Sequence, residues 1–154
     1  MNGDEISFLD YEFASFNFIE FEIGNIFCEY MGLDLQVQNY PSHDQQKKFV
    51  NSYLEEHNKL RERKIEFSDR LISVINLYAL VSDLYWAVWS EVQNSHSNVE
   101  FDYLEYGCKR LQFYLDSKDL FFSLFEKIHQ NIPLEKNETF KKILVSDYPH
   151  KKKN

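Results

Sequence analysis

The segment LISVINLYALVSDLYWAVWSEV, residues 71–92, is the longest apolar stretch of this 154-residue chain and decides its fold. Apolar side chains recur at helical spacing along one side of it, at Leu71, Ile75, Tyr78, Val81, Tyr85 and Val88. Others, including Trp86 and Trp89, occupy the remaining sides, so apolar surface nearly encircles the predicted helix. A helix of this kind is usually central to its domain, and Ser68 or Asp69 suits its start.

Helical patterns are also predicted on both sides of this segment. They cover residues 18–31, with Gly32 as the stop, and residues 42–63, with Ser42 and Gln45 as a capping box. Three more follow, at 102–115, 118–130 and 138–145. Residues 5–10 alternate in the manner of a short strand. The sequence therefore predicts a mainly α fold with a short β element at the N-terminus.

Composition limits the class of protein. With 44% hydrophobic and 17% aromatic residues, the chain suits one compact domain, and its net charge of −8 argues against a nucleic-acid partner. We expect a cytoplasmic protein without a transmembrane segment, since no secretory leader is recognisable and no apolar stretch reaches the length needed to span a bilayer. Cys28 and Cys108 are expected to be buried free thiols.

Acidic residues are concentrated at the N-terminal end. The first 46 residues carry nine Asp and Glu side chains and no Lys or Arg. Among them, Asp10 and Glu12 follow the predicted strand in a pattern that suits Mg²⁺, although such a pair is also common on plain surfaces. If these carboxylates are partly buried, they need a hard metal ion, a cationic ligand, or basic groups folded in from downstream.

Aromatic residues suggest a second kind of site. Trp86 and Trp89 are three residues apart and hence adjacent on a helix, and Phe101, Tyr103 and Tyr106 follow after a turn. Converging aromatic rings can bind an ammonium group by cation–π attraction. An ordinary core stripe is the alternative interpretation.

Several motifs together resemble the choline/ethanolamine kinase family over nearly the whole chain. They are FLDYEFASFN at residues 8–17, FEIGNIFCEY at 21–30, YPS at 40–42, WAVW at 86–89 and EFDY at 100–103. The resemblance implies the C-terminal helical lobe of a protein-kinase-like fold at residues 1–148. The lysines that follow predict a basic disordered tail at 149–154. The implied activity is ATP-dependent phosphorylation of choline or ethanolamine, the first step of phosphatidylcholine and phosphatidylethanolamine synthesis.

The resemblance also implies roles for individual residues. Asp10 and Glu12 match the family's Mg²⁺-binding acids, and Glu29 matches a carboxylate that faces the substrate ammonium. The walls of that substrate pocket match Phe13, Trp86, Trp89, Phe101, Tyr103 and Tyr106, with Phe13 standing where a tyrosine is usual. Three further positions support the motif, namely Asn17, Glu22 and Asn25.

Two parts of the family pattern are not found in this sequence: the small β-rich nucleotide lobe and the catalytic loop with its aspartate. We therefore expect no catalytic residue here, and a truncated C-terminal part of a kinase. Alternatives are a catalytically inactive ammonium-binding or regulatory module that pairs with a full-length kinase, and a plain helical interaction domain. Uncovered apolar surface near Phe8, Phe13 and Phe16 would favour a homo-oligomer or association with such a kinase. The choice between choline and ethanolamine stays open.

Overall fold

The computed structural model describes Ser7, Leu9 and residues 11–131 of the chain. Within this part, four helices follow one another: α1 (Ile19–Glu29), α2 (His43–Lys59), α3 (Asp69–His96) and α4 (Tyr103–His129). Two short 3₁₀ turns, Tyr11–Phe13 and Val37–Asn39, precede α1 and α2. The prediction of a mainly α fold is confirmed.

Helix α3 is the central element, as predicted, since it packs along α1 and α4 and touches α2. Ser68 caps its start and accepts a hydrogen bond from the amide of Leu71 at 3.1 Å. The neighbouring helices do not cover α3 on all sides, however. Its outer side remains exposed at Val81, Tyr85 and Val88.

Glycines allow the helices to approach α3 closely. A Cβ at Gly24 of α1 would lie 2.7 Å from the amide nitrogen of Ala79, which no side chain tolerates. A Cβ at Gly107 of α4 would collide with the side chain of Ser90 and lie 3.3 Å from the carbonyl oxygen of Ala87. Gly24 is therefore required by backbone contact between helices, and Gly107 by the close approach of the Ser90 side chain, rather than by a turn.

Helix α4 is one continuous helix of 27 residues, so the prediction of two helices, 102–115 and 118–130, is wrong. The prediction left Asp116 and Ser117 between the two helices. Ser117 is nevertheless fully buried, and Phe113 and Phe121 extend the same buried face on either side of it. Continuous packing against α3 therefore stabilises the helix across Asp116 and Ser117.

Helix α2 begins at the capping box that the sequence predicted, with both Ser42 and Gln45 bonded as required. A buried polar cluster links the start of α2 to α3. Gln46 and Asn76 exchange two hydrogen bonds of 3.0 Å between their side-chain amides, and Tyr40 donates a bond of 2.6 Å to Asn76 Oδ1. The cluster fixes the chain entering α2 against the central helix.

Helix α3 meets the length and composition criteria of a membrane-spanning helix, with a mean hydropathy of 1.6 over its most apolar window. The expectation that no stretch is long enough is therefore wrong by this measure. A single helix of this kind is only a weak sign of a span, because 44% of its window is buried inside the bundle and the core helix of a soluble protein meets the same criteria.

Other sequence expectations have mixed outcomes. Cys28 is buried as expected, but Cys108 is exposed on α4. Phe13 and Phe16 are exposed, as expected of an uncovered surface. Most of the predicted strand (including Phe8), the predicted helix at 138–145 and the tail at 149–154 lie outside the described residues.

Candidate functional site

A cavity of about 470 Å³ opens between the second half of α1, the second half of α3 and the start of α4. It is lined by Asn25, Glu29, Leu33, Trp86, Trp89, Val99, Glu100, Phe101, Tyr103 and Tyr106. The structure therefore brings the predicted aromatic residues of α3 and α4 together with Glu29 of α1. These side chains are separated by up to 77 positions in sequence, and the packing of α1 and α4 against α3 joins them.

The aromatic rings of the pocket pack edge to face. The ring centroids of Trp86 and Trp89 are 5.1 Å apart, and Trp89 lies 5.6 Å from Tyr103. Phe101 lies 4.9 Å from Tyr103 and 5.7 Å from Tyr106. An edge-to-face contact covers one face of one ring and leaves the other faces of the pair uncovered by that contact, and the negative face of an aromatic ring is the part that attracts a cation.

The connection between α3 and α4 brings the second group of rings back toward the first. Ser97 ends α3, and its hydroxyl lies 3.1 Å from that of Tyr103. Asp102 caps α4, its carboxylate accepting a hydrogen bond of 2.8 Å from the amide of Glu105. Phe101 and Tyr103 are thus held on either side of a fixed helix start, opposite Trp89.

Asn25 holds the pocket wall formed by Trp86. Its side-chain oxygen accepts one hydrogen bond of 2.7 Å from the indole N–H of Trp86 and another of 2.6 Å from the hydroxyl of Ser82. Both bonds join α1 to α3. The orientation of the indole ring is therefore set by a residue that also lines the pocket.

Glu29 forms an ion pair with Arg110, a residue of α4 that is only 1% exposed. Arg110 donates from Nη2 to Glu29 at 2.9 Å, from Nη1 to Asp83 at 3.1 Å, and from Nε to the hydroxyl of Tyr106 at 2.9 Å. Asp83 is fully buried in α3, and the thiol of Cys28 lies 3.6 Å from its second oxygen. One guanidinium therefore joins α1, α3 and α4 directly beneath the pocket.

Burial controls the ionisation of this cluster. It raises the pKa of Asp83 to about 7, and the charge and hydrogen bond of Arg110 offset only part of the effect. Burial also raises the pKa of the Cys28 thiol well above its usual range, and the Asp83 carboxylate acts in the same direction. Burial likewise raises the pKa of the Tyr106 hydroxyl, against the influence of Arg110. The thiol and the phenol are therefore neutral at physiological pH.

Some predicted site residues lie elsewhere. Phe13 is absent from the lining of the cavity and packs against Trp86, with ring centroids 5.6 Å apart. Glu22 accepts a hydrogen bond of 2.8 Å from Tyr53, and burial together with this bond raises the pKa of Tyr53 to about 12. Asn17 bonds through its side chain to the amide that follows it, just before α1.

The predicted magnesium pair is described at one residue only, because Asp10 lies outside the described residues. Glu12 is exposed in the turn Tyr11–Phe13, which the contact between Phe13 and Trp86 holds beside the pocket. Within the described part of the chain, no group of three or more His, Cys, Asp and Glu side chains could hold a metal ion. The carboxylate of Glu12 fits Mg²⁺ in chemistry, and the pair stays a prediction.

Sequence reasoning missed several residues of the site. Leu33, Val99 and Glu100 line the cavity, and Arg110 with Asp83 supports it. Downstream basic groups were one of three partners considered for the N-terminal carboxylates, and for Glu29 this partner is the one observed. A signal was available, since Arg110 is four residues after Tyr106 and so shares its helix face.

Comparison with known proteins identifies similar sequences. The choline/ethanolamine kinase family profile matches residues 1–115. The chain is 38% identical over 120 residues to an ethanolamine kinase of Drosophila melanogaster, covering 77% of this chain and 23% of that protein. It is 39% identical over 127 residues to a probable ethanolamine kinase of Nematostella vectensis, with coverages of 79% and 36%. A choline/ethanolamine kinase of Homo sapiens is 34% identical over 130 residues, with coverages of 76% and 33%.

The matched region is therefore about a quarter to a third of the length of these relatives. No solved structure matches the chain.

Proposed function

Because the chain belongs to the choline/ethanolamine kinase family, we propose that its pocket binds the ammonium group of choline or ethanolamine. The 154 residues then correspond to a C-terminal part of an enzyme that transfers a phosphoryl group from ATP to the hydroxyl of the bound amino alcohol. Within such an enzyme, the described helices would bind the substrate. The reaction itself requires a nucleotide lobe and a catalytic aspartate, for which this sequence has no counterpart.

One observation carries the proposal: aromatic rings and a carboxylate meet in a single cavity. Trp86, Trp89 and Tyr103 pack edge to face around it, and Glu29 lies at the same cavity with about half of its side chain exposed. Aromatic faces attract an alkylammonium ion by about 0.5–2 kcal/mol each, and a carboxylate adds direct charge attraction. A neutral or anionic ligand would gain neither contribution.

Glu100 gives the cavity a second carboxylate. A primary ammonium can donate three hydrogen bonds, whereas a quaternary ammonium can donate none and relies on the rings. The cavity has features that suit both kinds of cation, so we propose that both choline and ethanolamine bind.

Asp10 and Glu12 are our proposed Mg²⁺ ligands. A magnesium ion bound there would neutralise phosphate charge during phosphoryl transfer. What the described chain itself contributes is a fixed position for Glu12, because the ring of Phe13 holds the turn against Trp86. Since two acids without a phosphate-binding lysine or glycine-rich loop hold a nucleotide weakly, we expect negligible turnover by the isolated chain.

A second candidate is an ammonium-binding or regulatory module without activity of its own, which pairs with a full-length kinase. One observation favours it: the cavity lining found in the described part of the chain falls between Asn25 and Tyr106, so the described helices and loops form a cavity by themselves. Both candidates predict negligible turnover by the isolated chain, and stable association with a full-length kinase would favour the second. If the purified chain phosphorylates choline with no kinase co-purifying, our expectation of negligible turnover is wrong.

Binding is tested by isothermal titration of the chain with choline and with ethanolamine. We expect saturable heat for both ligands and a change in tryptophan emission, because Trp86 and Trp89 are the only two tryptophans in the chain. Trp86→Ala combined with Trp89→Ala should abolish binding. The matched control, Trp86→Phe with Trp89→Phe, retains aromatic faces and should keep part of the affinity. Equal affinity in the alanine double variant would contradict the proposal.

A further inference from the structure

We propose that Arg110 and Asp83, neither of which lines the pocket, are positioning residues that set its affinity for cations. Arg110 orients Glu29 and Tyr106, and Asp83 offsets the positive charge of Arg110. The inference rests on the proposed function, since it concerns the same pocket, and it assigns roles to two buried residues that have no contact with the substrate.

The hydrogen bonds of Arg110 define the positioning role. The planar guanidinium directs its three bonds to three side chains, at 2.9 to 3.1 Å, and two of these, Glu29 and Tyr106, line the cavity. Because Arg110 is 1% exposed and Asp83 is fully buried, neither can turn toward solvent. A fixed fork of this kind allows its partners few orientations. The carboxylate of Glu29 and the ring of Tyr106 are therefore oriented before a ligand arrives.

The charge count of the cluster defines the electrostatic role. One guanidinium faces two carboxylates, those of Asp83 and Glu29, which leaves a net charge of −1 when both are ionised. This net negative charge is accessible to a ligand at Glu29, because the side chain of Glu29 is 49% exposed whereas that of Asp83 is 0% exposed. Only one oxygen of Glu29 bonds to Arg110. A ligand cation in the pocket completes the neutralisation of the cluster.

Removing the charge of Asp83 should therefore weaken cation binding from a distance. Without it, Arg110 and Glu29 neutralise each other, and an approaching ammonium meets a pair with no net charge. Loss of one unit of charge several ångströms from a partly solvated ligand corresponds to an effect on the order of tenfold in affinity. A ligand of the same shape without charge should be insensitive to the change.

The test compares choline with its uncharged isostere 3,3-dimethyl-1-butanol, titrated into the wild-type chain and Asp83→Asn. The measurement is made at pH 8, so that Asp83 is mainly ionised in the wild type. We expect the variant to bind choline on the order of tenfold more weakly and the neutral alcohol within about twofold of the wild type. Equal losses for both ligands would mean a collapsed pocket and would overturn the electrostatic role, as would unchanged choline affinity.

A measurement on arginine side chains tests the positioning role without ligand and keeps the proposal testable if Asp83→Asn does not fold. With ¹⁵N-labelled arginine, the Nε–H signal of Arg110 should be protected from solvent exchange in the wild type. Protection should fall in Tyr106→Phe, which keeps the ring and removes the acceptor. If the wild-type signal exchanges as fast as in the unfolded chain, Arg110 positions nothing, whether or not choline binds.

The two proposals can fail separately. Absence of choline and ethanolamine binding by the wild type contradicts the proposed function, while a protected Arg110 Nε–H signal would still support the positioning of Tyr106. Binding by the wild type without discrimination between charged and neutral ligands in Asp83→Asn contradicts the inference alone.

Discussion

Asn25→Ala should destabilise the bundle and remove the hydrogen bond that orients Trp86, a residue of the pocket wall. The side-chain oxygen of Asn25 is the acceptor for the indole N–H of Trp86 at 2.7 Å and for the hydroxyl of Ser82 at 2.6 Å. Alanine removes the acceptor and leaves both donors in place. Asn25→Asp is the matched control, because its carboxylate can accept the same two bonds.

The size of the effect follows from what each donor can do next. Losing a hydrogen bond costs about 1 kcal/mol, and leaving a buried donor without a partner costs about 1–3 kcal/mol. The hydroxyl of Ser82 can rotate toward a carbonyl group of its own helix, so its loss falls at the low end. The indole N–H of Trp86 is fixed in the plane of its ring and cannot rotate toward another acceptor in this way. We expect Asn25→Ala to lower the free energy of unfolding by about 2–3 kcal/mol, and Asn25→Asp by less than about 1 kcal/mol.

Urea unfolding followed by circular dichroism measures these differences, and tryptophan emission of the folded state reports on the indole rings separately. The alanine variant should show a changed emission spectrum and weaker choline binding, whereas the aspartate variant should resemble the wild type in emission. The reasoning is refuted if both variants lose the same stability, or if Asn25→Ala loses less than about 0.5 kcal/mol.

Three other changes test the fold. Gly24→Ala should lower the free energy of unfolding by about 2 kcal/mol or more, because the added Cβ would lie 2.7 Å from the amide nitrogen of Ala79; denaturant unfolding should show it, and a neutral result would contradict the close crossing. Burial raises the pKa of Asp83 to about 7, so the folded state holds this proton more tightly; the stability that this contributes is present below about pH 4 and is lost as the pH rises to 7. The free energy of unfolding of the wild type minus that of Asp83→Asn should therefore decrease by roughly 2–4 kcal/mol from pH 4 to pH 8. A constant difference would be inconsistent with the raised pKa of Asp83. Tyr40→Phe should cost about 1 kcal/mol by removing the bond of 2.6 Å to Asn76, with Tyr30→Phe as an exposed control that should change little.

Local signals in the sequence predicted much of the helical framework. Ser42 with Gln45 and Ser68 mark the starts of α2 and α3, and the structure has their capping bonds. Gly32 was the predicted stop of α1, and it adopts a φ of +68° just beyond the helix. These elements were predictable because a cap or a stop depends only on a few adjacent residues.

Residues whose environment depends on distant parts of the chain were not predictable in the same way. Ser117 lies at the predicted break in α4, and its burial becomes visible only when α4 lies against α3. Asp83 is a charged residue in the long apolar helix α3, and Arg110, which pairs with it, is 27 positions away. The aromatic walls of the pocket were predicted because their helical spacing agreed with the family motif, whereas Leu33, Val99 and Glu100 belong to loops without periodic pattern.

The contact of Gly107 with Ser90 and Ala87 limits how the pocket can adapt to its contents. Beside the cavity, the backbone of α4 at Gly107 packs directly against the side chain of Ser90 in α3. Moving α3 away from α4 would therefore open a void at this junction. Accommodation of a bulkier headgroup must then come from the connection at residues 97–102 and from the stretch after α1 that carries Leu33. Changes meant to widen the range of ligands would begin with those two loops and leave the helix junction unchanged.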